Sequence, residues 1–338
     1  MKEGSTELGE VGHEGEPQPR TQDVRFDHGT FTLAGEVTLP PDEGVYPAIV
    51  LVHGAGPADR DYFGFFPPIR EYLARRGITV LSYDKPGCSY AGRPGPIASS
   101  GDWRTQGMPA RAREILAAVA FLEDHDEIVE GAVGVLGYSQ GWWPAGLAAS
   151  LSPTVAFAVC LGGASVSPFE QECFRIEQEL KRLGIAGPQI REAVNLFSRG
   201  IDLTMRGASF AEVSAVIGRA RHERWYPALH APETPELWHF LRTVLEHDPE
   251  PVIRSLTCPL LLIFSGHDER VPVEWSRENF ERLLRGAGHP HFTTLYFPDA
   301  DHFMAHPGGT GFIPDFLEAL ADWILDVTLD LLSETGTI

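Results

Sequence analysis

The sequence has 338 residues, of which 47 are acidic and 27 are basic, so its formal net charge is −20. Hydrophobic residues make up 43% of the chain, which excludes a fibrous or wholly disordered protein and suits one large domain or two ordinary ones. Lysine and arginine form no basic run, and this argues against nucleic acid as a partner, because such binding depends on clustered cations.

The first 22 residues are rich in Gly and Glu and are expected to form a disordered tail. They lack the apolar core of a signal peptide. The most apolar stretch of the chain, at 145–166, is interrupted by polar residues and is unsuited to spanning a membrane. Four scattered cysteines form no CxxC pair or metal-ligand spacing, as is typical of a reducing compartment. We therefore expect a cytoplasmic protein without a membrane partner.

Strand-like and helix-like segments alternate along the chain. Residues 24–28 and 31–39 predict an antiparallel pair, and the continuous apolar run at 46–52 predicts a strand buried on both faces. Further strands are predicted at 78–83, 132–136, 155–161, 259–265 and 292–297, and helices at 69–76, 110–125, 142–151, 275–284 and 312–332. Repeated strand–helix–strand units predict an α/β fold, in which a mostly parallel sheet carries helices on both faces.

One long segment departs from this alternation. Residues 166–253 show helical periodicity without a convincing strand, with helices predicted at 170–183, 188–205, 210–226 and 235–246. A connection of this length is far beyond an ordinary loop. We therefore predict a helical cap at 166–253, inserted into a core formed by 23–165 and 254–338.

Residues 137–141 read Gly-Tyr-Ser-Gln-Gly, a GxSxG pattern that follows a predicted buried strand and opens a predicted helix. A strand that turns sharply into a helix strains the backbone and brings neighbouring chains close, which accounts for the flanking glycines. A nucleotide-binding turn is a poor alternative, because no GxGxxG or GK[ST] pattern follows a strand. The pattern predicts that Ser139 is a nucleophile.

A serine hydroxyl is a weak nucleophile until a base removes its proton. His302 follows the last predicted strand, and Asp268 follows the strand before it. Both positions lie at carboxyl ends of parallel strands, where ligands bind in open α/β sheets. The order Ser139, Asp268, His302 predicts a catalytic triad. Among the 13 histidines, His306 is the one serious substitute for His302.

An acyl-transfer serine also needs hydrogen-bond donors for the developing oxyanion. One expected donor is the backbone N–H of Gln140, at the start of the helix after the nucleophile. The second is the N–H of Ala55, in the His-Gly-Ala-Gly loop at 53–56 that follows the strand at 46–52. Such a mechanism requires no metal ion and no organic cofactor.

Several of these motifs carry a family resemblance. The chain resembles the α/β-hydrolase superfamily at 53–54, at the Tyr-Asp-Lys-Pro-Gly segment 83–87, at 137–141, at Asp268 and at His302. The segments at 53–57 and 83–87 are similar to HGSGP and YDKRG strings of bacterial serine hydrolases in the esterase and acyl-peptidase-like branch. The resemblance covers 24–166 and 254–332. It implies an α/β-hydrolase sheet and hydrolysis of an ester, thioester or amide, with Asp84 and Lys85 mainly structural.

Three aromatic residues are candidates for substrate binding. Trp142 directly follows the GxSxG segment, where such proteins usually carry a small residue, and it either lines the acyl pocket or reshapes the helix packing. Trp225 and Tyr226 belong to the predicted cap and are candidates to line a cavity between cap and sheet. An arginine cluster at 219–224 either meets a substrate carboxylate or forms a solvated face.

These features predict a serine hydrolase that cleaves an ester or thioester of a moderately sized, partly apolar small molecule through an acyl-enzyme. An acyl-peptide or aminopeptidase-like hydrolase is an alternative, in which Glu170 or Glu172 would hold a free amine. A specialised biosynthetic enzyme for cyclisation, elimination or C–C cleavage is another, since a fold does not determine a function. A non-catalytic binding protein is the fourth. The long closing helix, with its apolar stripe, leaves room for a homodimer.

Overall fold

The computed structural model describes residues 17–90 and 99–335. Within these ranges, eight strands form one sheet in the order β1-β2-β4-β3-β5-β6-β7-β8. The pairs β1–β2 and β2–β4 are antiparallel, and all the others are parallel. The strands are β1 Arg20–His28, β2 Phe31–Leu39, β3 Tyr46–Val52, β4 Thr79–Tyr83, β5 Ile128–Tyr138, β6 Ala158–Leu161, β7 Leu260–His267 and β8 Phe292–Asp301. The predicted mostly parallel α/β sheet is confirmed.

Ten α-helices accompany the sheet in the described part of the chain. They are α1 Phe66–Arg75, α2 Met108–Glu123, α3 Trp142–Leu151, α4 Pro168–Arg182, α5 Gly187–Met205, α6 Phe210–Ile217, α7 Pro235–Leu245, α8 Pro249–Ser255, α9 Val273–Gly286 and α10 Phe316–Thr335. Over the residues described, none combines the length and the apolar character that crossing a bilayer requires.

Apolar side chains cover both faces of the sheet. In β3, Val50 and Val52 pack into the layer that contains α2, α3 and α9, whereas Ile49 and Leu51 pack into the layer that contains α1 and α10. All four side chains are fully buried. Successive residues of a strand point to opposite faces, so a run that is apolar at every position is suited to a strand in the middle of a two-faced sheet.

Helices α4–α8 and the turns between them connect β6 to β7, and we call this segment the insertion. Its helices α4–α6 enclose a separate apolar core that includes the fully buried Trp225. Helix α4 begins with a capping box, in which Ser167 and Glu170 bond each other's backbone N–H groups. Phe240 and Val244 of α7 join the core on the sheet, and α8 packs against α3 and α9. The insertion is thus anchored to the sheet along α7 and α8.

The amino-terminal boundary differs from the prediction. Arg20, expected in a disordered tail, opens β1, where it pairs with Leu39, and its guanidinium forms an ion pair with Glu127. Only Val24 and Phe26 of β1 are buried, because β1 lies at the edge of the sheet. A polar edge strand has little hydrophobic periodicity, which is the main signal for a strand in a sequence. The predicted tail at 1–16 lies outside the described residues.

Candidate active site

Ser139 lies at the turn between β5 and α3. Its φ angle is +52°, in the left-handed region that side chains of L-residues seldom adopt. A Cβ on Gly137 would lie 2.5 Å from the Cα of Trp142, and a Cβ on Gly141 would lie 2.4 Å from the carbonyl oxygen of Val52. Both flanking positions therefore require glycine. The strained strand-to-helix turn expected from the GxSxG pattern is present.

His302 and Asp268 lie beside this serine. The Nε2 atom of His302 is 3.0 Å from Ser139 Oγ, and its Nδ1 atom is 2.7 Å from Asp268 Oδ2. Each is the first residue after its strand, Asp268 after β7 and His302 after β8, and these strands are parallel neighbours. With the proton on Nδ1, His302 donates to Asp268 and accepts from the serine hydroxyl, as a general base does. His306, the alternative base, is exposed.

Backbone contacts hold the histidine and its carboxylate in place. Asp268 Oδ1 accepts the N–H groups of Arg270 at 2.7 Å and Val271 at 2.9 Å, which leaves Oδ2 for His302. The hydroxyl of Tyr138 donates to the carbonyl of His302 at 3.1 Å. The side chain of Asp268 is fully buried. The pair is therefore oriented by groups at or just after the carboxyl ends of β5 and β7.

The two expected oxyanion donors flank the nucleophile. Ala55 and Gln140 both border the same cavity as Ser139. Gln140 lies in the first turn that leads into α3, where backbone N–H groups have no acceptor within the helix. The loop of Ala55 passes close by, since a Cβ on Gly54 would lie 3.3 Å from Ser139 Cβ.

Lys85 forms hydrogen bonds to the loop that carries Ala55. Its Nζ atom donates to the carbonyl oxygens of Gly54 and Gly56, both at 2.6 Å. In a planar trans peptide, the carbonyl and the following N–H point in opposite directions. Holding the Gly54 carbonyl on Lys85 therefore turns the Ala55 N–H away from Lys85, which borders neither of the cavities at Ser139. This contact was not anticipated from the sequence, where Lys85 was assigned a merely structural role by resemblance.

Lys85 belongs to a group of buried ionisable side chains with Tyr83, Arg111 and Glu114. Burial lowers the pKa of Lys85 well below its usual value, and the positive charge of Arg111 lowers it further. Burial raises the pKa of Glu114, although Arg111 opposes that rise. The guanidinium of Arg111 also donates to the carbonyl of His53 at 3.1 Å. The group thus contacts the loop at 53–56, which carries the expected oxyanion donor Ala55 and which we call the oxyanion loop.

Asp84 has a different set of contacts. It accepts hydrogen bonds from the backbone N–H of Arg60 at 2.7 Å and from its guanidinium at 2.9 and 3.1 Å. The same guanidinium donates to Asp23 and to the carbonyl of Gly35, both at 2.8 Å. These bonds join β1, β2 and the loops after β3 and β4. Neither Arg60 nor Asp84 borders the cavities at Ser139, in agreement with a structural role for Asp84.

One cavity at Ser139, which we call the insertion cavity, lies between the sheet edge and the insertion and has a volume of about 320 Å³. Its charged groups are largely paired, since Arg175 binds Glu172 at 2.8 Å and Glu179 at 2.7 Å. The rest of the wall is mainly apolar and includes Phe197, Ile201, Val213, Ile217, Leu241 and Val244.

A second cavity, which we call the core cavity, also borders Ser139 and has a volume of about 720 Å³. It is bordered by His302 and by Arg270, whose guanidinium lies 5.3 Å from the ring centre of Phe303. Its wall is formed chiefly by aromatic rings, those of Tyr62, Phe63, Phe65, Tyr138, Phe303 and Phe312. Ser139, Ala55 and Arg270 border both cavities.

Trp142, Trp225 and Tyr226, the candidates for substrate binding, border neither cavity at Ser139. Trp142 is 1% exposed and packs edge-on against Phe280, whereas Trp143 borders the insertion cavity. Neighbouring helical residues point about 100° apart, so only one of the two tryptophans at the start of α3 faces the site. Trp225 and Tyr226 pack into the insertion's own core because that small helical unit needs large apolar side chains of its own.

The arginines at 219–224 are also exposed and border neither cavity. The arginines that do border the insertion cavity are Arg175, Arg242 and Arg270. Within the described ranges, no group of three or more His, Cys, Asp or Glu side chains is placed to hold a metal ion.

Comparisons with known proteins agree with this architecture. A model of the alpha/beta hydrolase family matches residues 49–310. Esterase EstD of Thermotoga maritima is 27% identical over 281 residues, which make up 80% of this chain and 58% of that protein. This chain therefore matches less than two thirds of the esterase's length.

Solved structures share the fold at lower identity. An esterase of Pyrococcus furiosus has a TM-score of 0.59 and 17% identity, over 91% of this chain and 90% of that one. Proline iminopeptidase of Mycobacterium smegmatis has a TM-score of 0.57 and 17% identity, over 92% of this chain and all of that one. Because the family model covers more than half of the sequence, the chain belongs to the alpha/beta hydrolase family.

Proposed function

We propose that this hydrolase is a serine hydrolase that cleaves an ester or thioester of a moderately sized, partly apolar molecule through an acyl-enzyme. The observation that carries the proposal is the chain of contacts from Asp268 Oδ2 to His302 Nδ1 at 2.7 Å and from His302 Nε2 to Ser139 Oγ at 3.0 Å. Two hydrogen bonds in series connect a buried carboxylate to a serine hydroxyl, which is the arrangement that activates a serine.

In the proposed mechanism, Ser139 Oγ attacks the carbonyl carbon while His302 Nε2 accepts the hydroxyl proton. Asp268 stabilises the imidazolium that forms and keeps the ring in the productive orientation. The N–H groups of Ala55 and Gln140 receive the negative charge that develops on the carbonyl oxygen. A single donor of this kind is worth about 10²–10³ in kcat.

The tetrahedral intermediate then collapses. His302 gives its proton to the leaving oxygen or sulfur, whose bond to carbon breaks with the electron pair, and the acyl group remains on Ser139. A water molecule next takes the place of the leaving group. His302 removes its proton, and a second collapse releases the carboxylic acid and restores the serine. The reaction draws on no metal or organic cofactor.

A peptidase-like function has less support. The fold is shared with a proline iminopeptidase, but a free substrate amine would need an available carboxylate. Glu170 closes the capping box with Ser167, and Glu172 is bound to Arg175. Both acidic candidates are therefore engaged. A biosynthetic reaction such as cyclisation or elimination would use the same three residues and is separated from hydrolysis by its products.

The first experiment is intact-mass measurement after incubation with a fluorophosphonate probe. We expect one adduct per chain on the wild type and none on Ser139→Ala. Labelling of His302→Ala should be slowed by about 10²–10⁴, the usual contribution of a general base. His306→Ala is the matched control, because His306 is an exposed histidine four residues away, and its labelling should be unchanged.

A second experiment tests the reaction itself. A panel of p-nitrophenyl esters, acyl thioesters and aminoacyl p-nitroanilides would be compared by kcat/KM, with mass spectrometry of the products. Turnover of esters or thioesters to free acids, lost in Ser139→Ala, supports the proposal. If a folded wild type reacted with neither the fluorophosphonate nor a smaller sulfonyl fluoride, the proposal would be refuted.

A further inference from the structure

The two cavities that meet at Ser139 are bordered by different catalytic groups. Among the described residues, the insertion cavity is bordered by Gln140 but not by His302, the core cavity is bordered by His302 but not by Gln140, and Ala55 borders both. Resting on the proposed function, we infer that the substrate is an ester or thioester of two unlike parts. Its apolar acyl group occupies the insertion cavity, and its aromatic leaving group occupies the core cavity.

The position of His302 assigns the two parts of the substrate. When the tetrahedral intermediate collapses, the carbon–oxygen or carbon–sulfur bond breaks and the leaving atom takes the proton from His302 Nε2. That transfer requires hydrogen-bond reach, about 2.6–3.2 Å between the heavy atoms. The leaving atom, and the group attached to it, must therefore lie on the side of Ser139 that His302 borders. The acyl group, which stays on Ser139 Oγ, is then left with the insertion cavity, which His302 does not border.

The insertion cavity suits an aliphatic acyl chain of moderate length. Its volume of about 320 Å³ is at the lower end of the range of about 300–1,000 Å³ for small-molecule sites. Ile201 and Leu241 contribute to its wall, and the charge of Arg175 is engaged by carboxylates on the same helix. Each methylene that such a wall buries should raise kcat/KM by about fourfold, from the transfer free energy of one methylene.

The core cavity offers ring faces and edges instead. Phe65 packs on Tyr138 with a centroid distance of 4.3 Å, and it meets Phe312 edge-on at 5.4 Å. Phe303 lies 6.3 Å from Phe65, at a steep angle to it. We call these four rings and Phe63 the aromatic shelf. Aromatic rings prefer offset or edge-to-face partners, so a wall of differently tilted rings is suited to receive another ring.

The most exposed ring of the shelf is held at a conformational cost. Phe63 is 82% exposed, and its φ angle is +57°, next to Tyr62 at +44°. Bulky residues seldom adopt this region, and such strain concentrates where a binding site depends on it. Phe303 is also 43% exposed. A bound aromatic group in the core cavity would cover exposed ring surface of this kind, which gives the strained loop a function.

The test crosses two acyl groups with two leaving groups. The acyl groups are acetyl and hexanoyl, and the leaving groups are phenol and hexafluoroisopropanol, alcohols of similar acidity of which only phenol is aromatic. The shelf variants are Phe63→Leu and Phe303→Leu, and the insertion-cavity variant is Ile201→Trp. Tyr296→Leu is the control for removing an exposed ring, since Tyr296 is 41% exposed and borders neither cavity.

Acylation and deacylation are measured separately, by single-turnover release of the alcohol and by the decay of the acyl-enzyme in intact-mass spectra. Each shelf variant should lower the phenyl-over-hexafluoroisopropyl preference in acylation by about twofold to tenfold, the fold-change equivalent to one aromatic contact. Deacylation should stay within about twofold, because the leaving group has already departed. Ile201→Trp should lower the hexanoyl-over-acetyl preference at least tenfold, with the aryl preference unchanged.

The opposite pattern would overturn the inference. If Ile201→Trp altered the leaving-group preference and the shelf variants altered deacylation, the two parts of the substrate would be reversed. If Phe63→Leu, which removes an exposed ring and leaves the core intact, behaved like Tyr296→Leu, the shelf would have no part in binding. Both results are distinct from a failure of the proposed function, in which Ser139 would not be labelled by the fluorophosphonate at all.

Discussion

The contact between Lys85 and the oxyanion loop predicts a specific catalytic defect. Lys85 Nζ holds the carbonyls of Gly54 and Gly56, each at 2.6 Å, and the peptide between Gly54 and Ala55 carries the proposed donor. Lys85→Met keeps a long unbranched side chain at this buried position and removes both hydrogen bonds. Without them, the peptide is free to rotate, and the Ala55 N–H loses its fixed direction.

The expected magnitude follows from the separate contributions. A typical hydrogen bond contributes about 0.5–1.5 kcal/mol, and two of them acting on one short loop segment are enough to bias a single peptide. One oxyanion donor contributes about 10²–10³ in kcat, and the N–H of Gln140 would remain. We therefore expect kcat to fall about 10²-fold in Lys85→Met, with KM changed by less than about threefold, because the oxyanion exists only in the transition state.

Stability should change less than the two lost bonds suggest. Burial lowers the pKa of Lys85 well below its usual value, which means that keeping an ammonium group here is unfavourable for the fold. Methionine removes that desolvation cost together with the hydrogen bonds. We expect the free energy of unfolding to fall by about 1–3 kcal/mol, so that the variant remains folded for assay.

The assay compares kcat, KM and the affinity of an alkyl boronic acid, whose adduct with Ser139 carries a negatively charged oxygen in the oxyanion position. If Lys85 acts by positioning Ala55, boronate affinity and kcat fall together. Lys181→Met is the control, since Lys181 is an exposed lysine bound to Glu177 in the insertion, and it should match the wild type. A folded Lys85→Met with unchanged kcat, or with reduced kcat and unchanged boronate affinity, would refute the reasoning.

Three further substitutions have defined outcomes. Gly141→Ala places a Cβ 2.4 Å from the carbonyl oxygen of Val52. It should destabilise the fold by about 1–3 kcal/mol and abolish fluorophosphonate labelling, whereas Gly286→Ala, which meets no backbone, should do neither. The exposed guanidinium of Arg270 borders both cavities, so Arg270→Met should lower kcat/KM about threefold for a carboxylated phenyl ester relative to phenyl ester. In high salt, which screens exposed charges, Arg270→Met should have the same ratio of the two kcat/KM values as the wild type. Burial lowers the pKa of His247 to about 4. Between pH 6.5 and 4, the imidazole of this residue therefore takes up a proton in the unfolded chain but not in the folded one. Lowering the pH from 7.5 to 4.5 should therefore reduce the free energy of unfolding by about 2.5 kcal/mol through this histidine. His247→Phe should remove that contribution, as measured by urea unfolding at the two pH values.

The sheet could be predicted closely because its strands carry strong local signals. The run at β3 is apolar at every position, and burial on both faces is what such a run predicts. The proposed catalytic residues also followed from local context, since each candidate directly succeeds a strand. Parallel strands bring their carboxyl ends to one edge, so chain order alone was sufficient to propose that Ser139, Asp268 and His302 meet.

The residues that border the cavities were predicted less well, for two physical reasons. An aromatic residue in a helical segment gives the same local sequence signal whether it faces a substrate or an internal core. Trp225 packs in the insertion's own core. Which side chains of a helix face the site also depends on how the helix is rotated against the sheet. That setting decides between Trp142 and Trp143, and it depends on contacts such as the one between Trp142 and Phe280, 138 positions later in the chain.

Irregular segments were missed for a related reason. Helix α8 has seven residues, of which only Pro249 and Ile253 are buried, so it shows little hydrophobic periodicity. The predicted border of the insertion, at residue 253, therefore falls inside this helix. Its position is set by packing against α3 and α9. The predicted helix at 210–226 ends at Ile217 and continues as a short 3₁₀ turn, because Gly218 interrupts it and glycine is a poor helix former.

The site therefore separates into parts with different physical origins. The proposed chemistry depends on groups within one or two residues of strand ends, whose positions are determined by the sheet and are insensitive to the insertion. The proposed selectivity depends on α5 to α7 and on the loop of Phe63, whose positions are determined by side-chain packing over long sequence distances. Substitutions in the insertion cavity, such as Ile201→Trp, should change the acyl preference while the rate of labelling of Ser139 by a small sulfonyl fluoride stays constant. A parallel loss of both would mean that the insertion supports the triad itself, and that chemistry and selectivity in this fold are not separable.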